Sequence, residues 1–357
     1  MIHDEFNKRR HFGPKLVPLL IVVMTTWLTL ARMHAQESHM DPTEDPIEPK
    51  PPAVRLLMVR GAEGDADFAS DFGEAAQGWL KVAERNNFEV IEIQPETEEP
   101  ARDVLRNAIH DSMECQSLWV VMIGHGTFSS NSAKFNLPGP DVSSEELAEW
   151  FVPFKNDLYL IHCFSASAPF MKALSGPGRI VVTSTKSGAE YNYSRFGKYL
   201  GVAMNELGND LDHDDSVSLL EAFLAANNRT QQFYESESRL ATEHALLDDN
   251  SDTLGTPGEF YTGIRPSQKS ESGREIDGAR ASRIILFESP DLPKLDEAQS
   301  QDRLKLELEL EKLRRNKPSI PESQYLDRLE TLMLKLSPLY IGKEAPGNAP
   351  KSETGSH

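Results

Sequence analysis

The chain has 357 residues, 39% of them hydrophobic and 26% charged, and a formal net charge of −19. That length supports one sizeable α/β core with appendages. The charge argues against nucleic acid as a partner, because a duplex binder needs a dense basic face and none lies beyond the N-terminus.

Residues 1–35 set Lys8, Arg9, Arg10, Lys15 and Arg32 against Asp4 and Glu5, followed by an apolar run from Leu16 to Leu30 and a small-residue exit at Ala35. This is the layout of a secretory signal peptide, and the run is shorter than the ~20 residues of a membrane span. An exported protein is expected. An uncleaved N-terminal anchor is the alternative, and the membrane is a partner in that case alone. Residues 36–52 are rich in proline and acid and read as a linker.

From residue 53 to 265 the pattern alternates between strand and helix. VRLLMV (54–59), FEVIEI (88–93), LWVVMIG (118–124), DLYLIH (157–162) and RIVVTST (179–185) read as strands. The segments 67–86, 101–114, 143–151, 167–174 and 194–207 read as helices, the third capped by Ser143 with Glu146 three residues on. Continuous apolar strands separated by helices predict an α/β domain with a mostly parallel sheet covered on both faces. Residues 266–293 turn polar, a linker in which RIILFE (283–288) reads as one added edge strand. Residues 294–340 read as a helical hairpin. Leu306, Leu310 and Leu313 share one helix face; Leu326, Leu329, Met333 and Leu336 share the other, with Ser319 and Glu322 as a capping box. This hairpin is a candidate surface for self-association. The tail from 341 to 357 has the composition of a disordered segment.

Open parallel sheets place their chemistry at the carboxyl ends of strands. One such end runs into His125-Gly126 and another into Cys163-Phe164-Ser165-Ala166-Ser167. A thiol at a strand-to-helix turn gains from the amides of the next helix, and the thiolate is the reactive form. A histidine on a neighbouring strand end exchanges protons with it. Gly126 leaves room for a substrate backbone and offers its N–H, with that of Cys163, to an oxyanion. His162 is excluded as the partner, since a strand neighbour of Cys163 points to the opposite face. Cys115 and Cys163 fall at opposite ends of parallel strands, too far apart for a disulfide. Ser165, Ser184, Lys186 and Glu190 border these strand ends and are candidate substrate contacts.

An apolar strand ending in His-Gly, then another ending in Cys, resembles the caspase-like cysteine peptidases, which include legumains, caspases and gingipains. The Cys163-x-Ser165-x-Ser167 spacing is most similar to the legumain group. The resemblance covers roughly 53–262. It implies a caspase-like α/β fold, hydrolysis of peptide bonds through a thioacyl intermediate, a protein or peptide substrate, and no cofactor at the reaction centre. Two departures bear on substrate preference: Phe164 follows the nucleophile where legumains carry an acidic residue, and His162 precedes it where they carry a small one. The FNLPGPD, ALSGPGR and SLLEAF segments resemble those of bacterial exported proteins, some of which lack the cysteine. A catalytically silent caspase-like binding or scaffold protein is therefore the alternative.

Asp210, Asp212, Asp214, Ser216, Ser218 and Glu221 occupy positions 1, 3, 5, 7, 9 and 12 of an EF-hand-like loop, with Val217 at position 8. Hard oxygen ligands at alternate positions suit a structural calcium ion. The departure is Asp215 at position 6, where glycine normally makes the sharp turn. Asp248, Asn250, Asp252 and Glu259 form a second, poorer match.

Overall fold

The computed structural model describes residues 53–95, 99–267 and 276–340. The expected signal segment, the linker to residue 52 and the tail from 341 lie outside the described residues.

The first half of the chain alternates as the apolar runs dictate: β1 (Val54–Arg60), α1 (Ala66–Arg85), β2 (Glu89–Ile93), α2 (Ala101–His110) and β3 (Ser117–Ile123). A small antiparallel insert then interrupts it, made of β4 (Gly126–Ser129), β5 (Ser132–Phe135) and β6 (Val142–Ser143). Alternation resumes with α3 (Ser144–Trp150), β7 (Asp157–Cys163), α4 (Ala168–Leu174), β8 (Arg179–Thr183) and α5 (Phe196–Ala203). After these come β9 (Ser216–Ser218), α6 (Leu219–Ser236), β10 (Leu246–Asp248) and β11 (Thr256–Pro257). Three short strands follow, β12 (Tyr261–Thr262), β13 (Arg265–Pro266) and β14 (Ile285–Glu288), then two long helices, α7 (Glu297–Arg315) and α8 (Glu322–Tyr340).

The main sheet has seven strands in the order β11-β10-β8-β7-β3-β1-β2. Pairing is parallel from β8 to β2 and antiparallel where β10 and β11 extend the edge. This is the α/β class that the sequence predicts. Side chains alternate between two apolar layers, as strand geometry requires. Leu56, Val121, Ile161 and Cys163 face α1, α5 and α6, while Leu57, Val120, Leu160 and Val181 face α2, α3 and α4. Each fully buried aliphatic or aromatic side chain stabilises the fold by about 1.5–3 kcal/mol, which is why the central strands tolerate no polar run.

The helix caps follow local chemistry. Ser143 with Glu146 forms the expected capping box on α3, and Ser218 with Glu221 forms another on α6. Ser319 does not cap α8: its hydroxyl donates to the Asn316 carbonyl, because Lys317–Ser319 folds as a 3-10 turn instead. The RIILFE segment is a strand, but β14 pairs with β9 and not with the main sheet. In the helical pair, Leu310, Leu313, Leu332 and Leu336 are buried together with Tyr325. Leu326 and Met333 face solvent, contrary to expectation. The seam turns by one residue because Tyr325, under the Lys317 ammonium, takes the inner position. Among the described residues no helix is long and apolar enough to cross a membrane.

Candidate active site

The parallel register of β3 and β7 sets Ile123 beside Cys163. His125 lies two residues past Ile123, about 7 Å further along the chain at strand rise. Its ring packs on the α1 side of the sheet, edge-on to Phe68 at 5.1 Å and Phe72 at 5.2 Å, with the Tyr193 ring at 6.1 Å. Cys163 belongs to the same layer as Phe72. His125 and Cys163 thus stand at one sheet edge and on one face. His162 points to the other face, between Phe164 and Phe170, as alternation requires.

The two halves do not touch. The His125 ring nitrogen Nε2 lies 3.3 Å from the Glu63 carbonyl oxygen, and a carbonyl accepts only from an N–H, so Nε2 carries the proton and Nδ1 is the basic nitrogen. Burial lowers the pKa of His125, against the bond to Glu63, and the ring is neutral at pH 7. Cys163 is 3% exposed and makes no hydrogen bond to His125. Burial, and then the negative charge of Glu243, pushes its thiol up to about 12.

The helix beside the thiol is α5 and not α4, which follows it in sequence. Cys163 points to the α1/α5 layer, whereas Phe170 and Met171 of α4 pack in the opposite one. A Cβ on Gly197 would come within 2.5 Å of Cys163 Cβ and 3.2 Å of its Sγ, so only glycine allows this approach. The amides that begin α5 do not serve the sulfur. The Glu243 carboxylate accepts from the Ser194 hydroxyl at 2.6 Å, the Arg195 N–H at 2.9 Å and the Phe196 N–H at 3.0 Å. Tyr234 donates to its other oxygen at 3.1 Å; burial raises the Glu243 carboxyl above its ordinary range, against the pull of these four donors.

Gly126 also departs from expectation. A Cβ there would lie 2.2 Å from the Ser165 carbonyl oxygen and 2.6 Å from the Phe164 ring, so the space left by glycine is filled by the Ser165 backbone and the Phe164 side chain and not by substrate. Its N–H donates to Ser165 Oγ at 3.1 Å, and that hydroxyl donates back to the Gly126 carbonyl at 3.1 Å. In this arrangement the amide is not free for an oxyanion.

Three of the four expected substrate contacts are engaged inside the protein. Ser165 is buried in the Gly126 clamp, and Ser184 is buried with its hydroxyl on the His162 carbonyl. Glu190 accepts from the Lys186 N–H at 2.9 Å and from His244 Nδ1 at 2.5 Å. Lys186 alone presents its side chain to solvent. Beside them Ala166 adopts φ 55°, the left-handed region that favours glycine, held by its N–H on the Glu190 carbonyl at 2.7 Å. Sequence reasoning missed Glu243 and Tyr193, whose hydroxyl donates to Asp71 at 2.7 Å. Phe68 and Phe72 were legible only as one face of a helix.

In the acidic loop, the carboxylates of Asp210, Asp212 and Asp214 converge within 4.8 Å of one another. Asp215 takes φ 63°, making the sharp turn without glycine. Asp210 accepts from the Asp214 and Asp215 amides, and Asp214 from the Ser216 hydroxyl. Glu221 is buried, with one oxygen on the Leu211 N–H and the other on Ser218. Burial, with the charges of Asp214, Glu221 and Asp210, raises the Asp212 carboxyl to about 7. Asp248, Asp252 and Glu259 do not converge in this way; both Asp248 oxygens accept backbone amides, from Ser251 and Thr253.

No family model matches the chain, and no curated protein does. Among solved structures it is similar to the Drosophila initiator caspase Dronc, at TM-score 0.37 and 13% identity over 57% of this chain and 81% of that one. It is also similar to caspase-1 from Spodoptera frugiperda, at TM-score 0.36 and 9% identity over 57% of this chain and 91% of that one.

Proposed function

We propose that the chain is a cysteine peptidase of caspase-like type whose dyad, Cys163 and His125, is held in a closed resting arrangement. The observation that supports this is the register: the thiol and the imidazole leave adjacent parallel strands at one edge and on one face. In the working site, Nδ1 of His125 takes the proton of the Cys163 thiol. The sulfur then attacks the peptide carbonyl carbon, a thioester forms, and the C–N bond breaks as the amine leaves with the proton from His125. Water attacks the thioester, and the acid is released with the thiol restored.

The buried thiol favours a second reading, a catalytically silent domain that binds peptide. A panel of peptidyl acyloxymethyl ketones with Asp, Asn, Arg or Lys before the reactive group separates the two. The peptidase reading expects covalent labelling of the full chain that disappears in Cys163→Ala and in His125→Ala. Labelling that survives His125→Ala, or none with any of the four probes, supports the silent domain.

A further inference from the structure

The insert after His125 leaves one strand edge unpaired. In the small sheet ordered β4-β5-β6, β4 is the outer strand, and Thr127, Phe128 and Ser129 are exposed. The direction of its backbone groups follows from the register. Gly126 sits opposite Phe135, yet both its N–H and its carbonyl bond to Ser165, away from β5. The neighbouring pair is the one joined across the ladder, through the Asn136 N–H on the His125 carbonyl at 2.9 Å. Antiparallel pairs alternate between bonded and non-bonded, so Phe128, opposite Ala133, repeats the geometry of Gly126. Its N–H and carbonyl point out of the free edge.

We propose that the free edge of β4 is a strand-addition site for an extended, acidic polypeptide, with the N–H and carbonyl of Phe128 as its first open rung. Three observations single out this occupant. The edge begins at the residue after His125, so a chain lying along it runs into the candidate dyad. The Ser165 hydroxyl already fills the Gly126 rung as a strand neighbour would, both accepting and donating. The Phe128 ring, 39% exposed, lies against Gly188 and offers an apolar contact beside the rung. Two cations border this stretch of the edge in a chain of net charge −19, one of them on the hairpin face opposite the Phe128 ring. Lys134 lies opposite Thr127, and Lys186 opens the turn that carries Gly188. Both are exposed, and neither makes an ion pair with a described residue. Backbone pairing supplies affinity with little demand on sequence, and the lysines favour acid.

The inference serves both functional readings, since each binds a peptide, and its test omits cleavage. In a Cys163→Ala background, binding of fluorescent dephosphorylated β-casein, an acidic and extended chain, is measured for the parent, Phe128→Ala and Phe128→Pro. Proline deletes the outward N–H but no ladder bond, because Phe128 does not bond to β5. The expected result is binding by the parent that weakens with salt, a modest loss in Phe128→Ala, and a further loss of at least about tenfold in Phe128→Pro. Equal affinities for the two variants, or no binding by the parent, would overturn the proposal. Should Phe128→Pro fail to fold, amide exchange in the parent decides: the Phe128 N–H is expected to exchange freely alone and slow at least about tenfold with casein. An unchanged rate would equally overturn it. Failure of the peptidyl probes to label Cys163 would leave these outcomes unaffected.

Discussion

His162 offers a stability test that depends on nothing catalytic. It is fully buried, and neither ring nitrogen meets a protein hydrogen-bond partner. A neutral imidazole carries one donor and one acceptor, and each buried group left unmade costs ~1–3 kcal/mol. His162→Leu removes both costs and keeps a side chain of similar size, at a repacking cost of up to about 1.5 kcal/mol against Phe164 and Phe170. The net gain expected near pH 7.5 is ~1–2 kcal/mol, or about 2–4 °C in melting temperature per kcal/mol. The pH dependence gives an independent check. Burial lowers the pKa of His162 from its ordinary 6.5 to about 3. A group depressed on folding is protonated first in the unfolded chain, so its contribution is intact above pH 6.5 and is lost as pH falls toward 3. At pH 5 the wild type has lost about 2 kcal/mol through this group, and the leucine variant has not. Melting curves of the two proteins at pH 7.5 and pH 5 are the assay, and the gap between them is expected to widen on acidification. A variant that melts at or below the wild type at both pH values, with a constant gap, would refute the reasoning.

Three further outcomes are expected. Native Cys163 should react with iodoacetamide at pH 7.5 about a thousandfold more slowly than a free cysteine, because a thiol pushed up to about 12 is almost wholly protonated there; a native rate equal to that of the unfolded chain contradicts this closed site. Gly126→Ala should destabilise by ~1–3 kcal/mol in a denaturant titration, since its Cβ must displace the Ser165 carbonyl 2.2 Å away, and an unchanged midpoint would mean the two loops are not packed as described. We also propose that the loop from Asp210 to Glu221 binds calcium, which at a hundredfold excess over Kd adds ~2.7 kcal/mol of stability. Glu221→Gln should remove most of that gain while a Gln still serves the helix cap, and a melting curve indifferent to calcium and to chelator counts against the site.

The strands of the main sheet were legible because buried parallel strands must be continuously apolar, and VRLLMV, LWVVMIG and DLYLIH are. The face of His162 followed from alternation alone. The β4–β5 hairpin was not legible, because FSSNSAKF is polar and its turn residues, Ser130 at φ 52° and Asn131 at φ 62°, are not a glycine pair. The surroundings of the thiol were out of reach for a different reason. Which helix covers Cys163 is set by crossover handedness and packing, and the carboxylate that caps α5 comes from Glu243, 47 residues beyond the Phe196 amide it accepts. Strand-end chemistry predicts which residues meet at an edge. It carries no information on whether the loops above that edge leave them open.

One short segment closes both halves of this site. Tyr193 stands against the His125 ring, stacked on Phe68 at 4.5 Å, and Gly197 lies on the Cys163 sulfur. Three residues separate these contacts, and the segment is tied at each end. The Tyr193 hydroxyl and the Lys198 ammonium both bond Asp71 of α1, at 2.7 Å each, and Glu243 grips Ser194, Arg195 and Phe196. The closed state is therefore not two independent obstructions. Displacing 193–197 from α1 would have to break the Asp71 bonds and the Glu243 bonds together. The charge-assisted bonds of Asp71 and Glu243 resist that motion more strongly than neutral ones would.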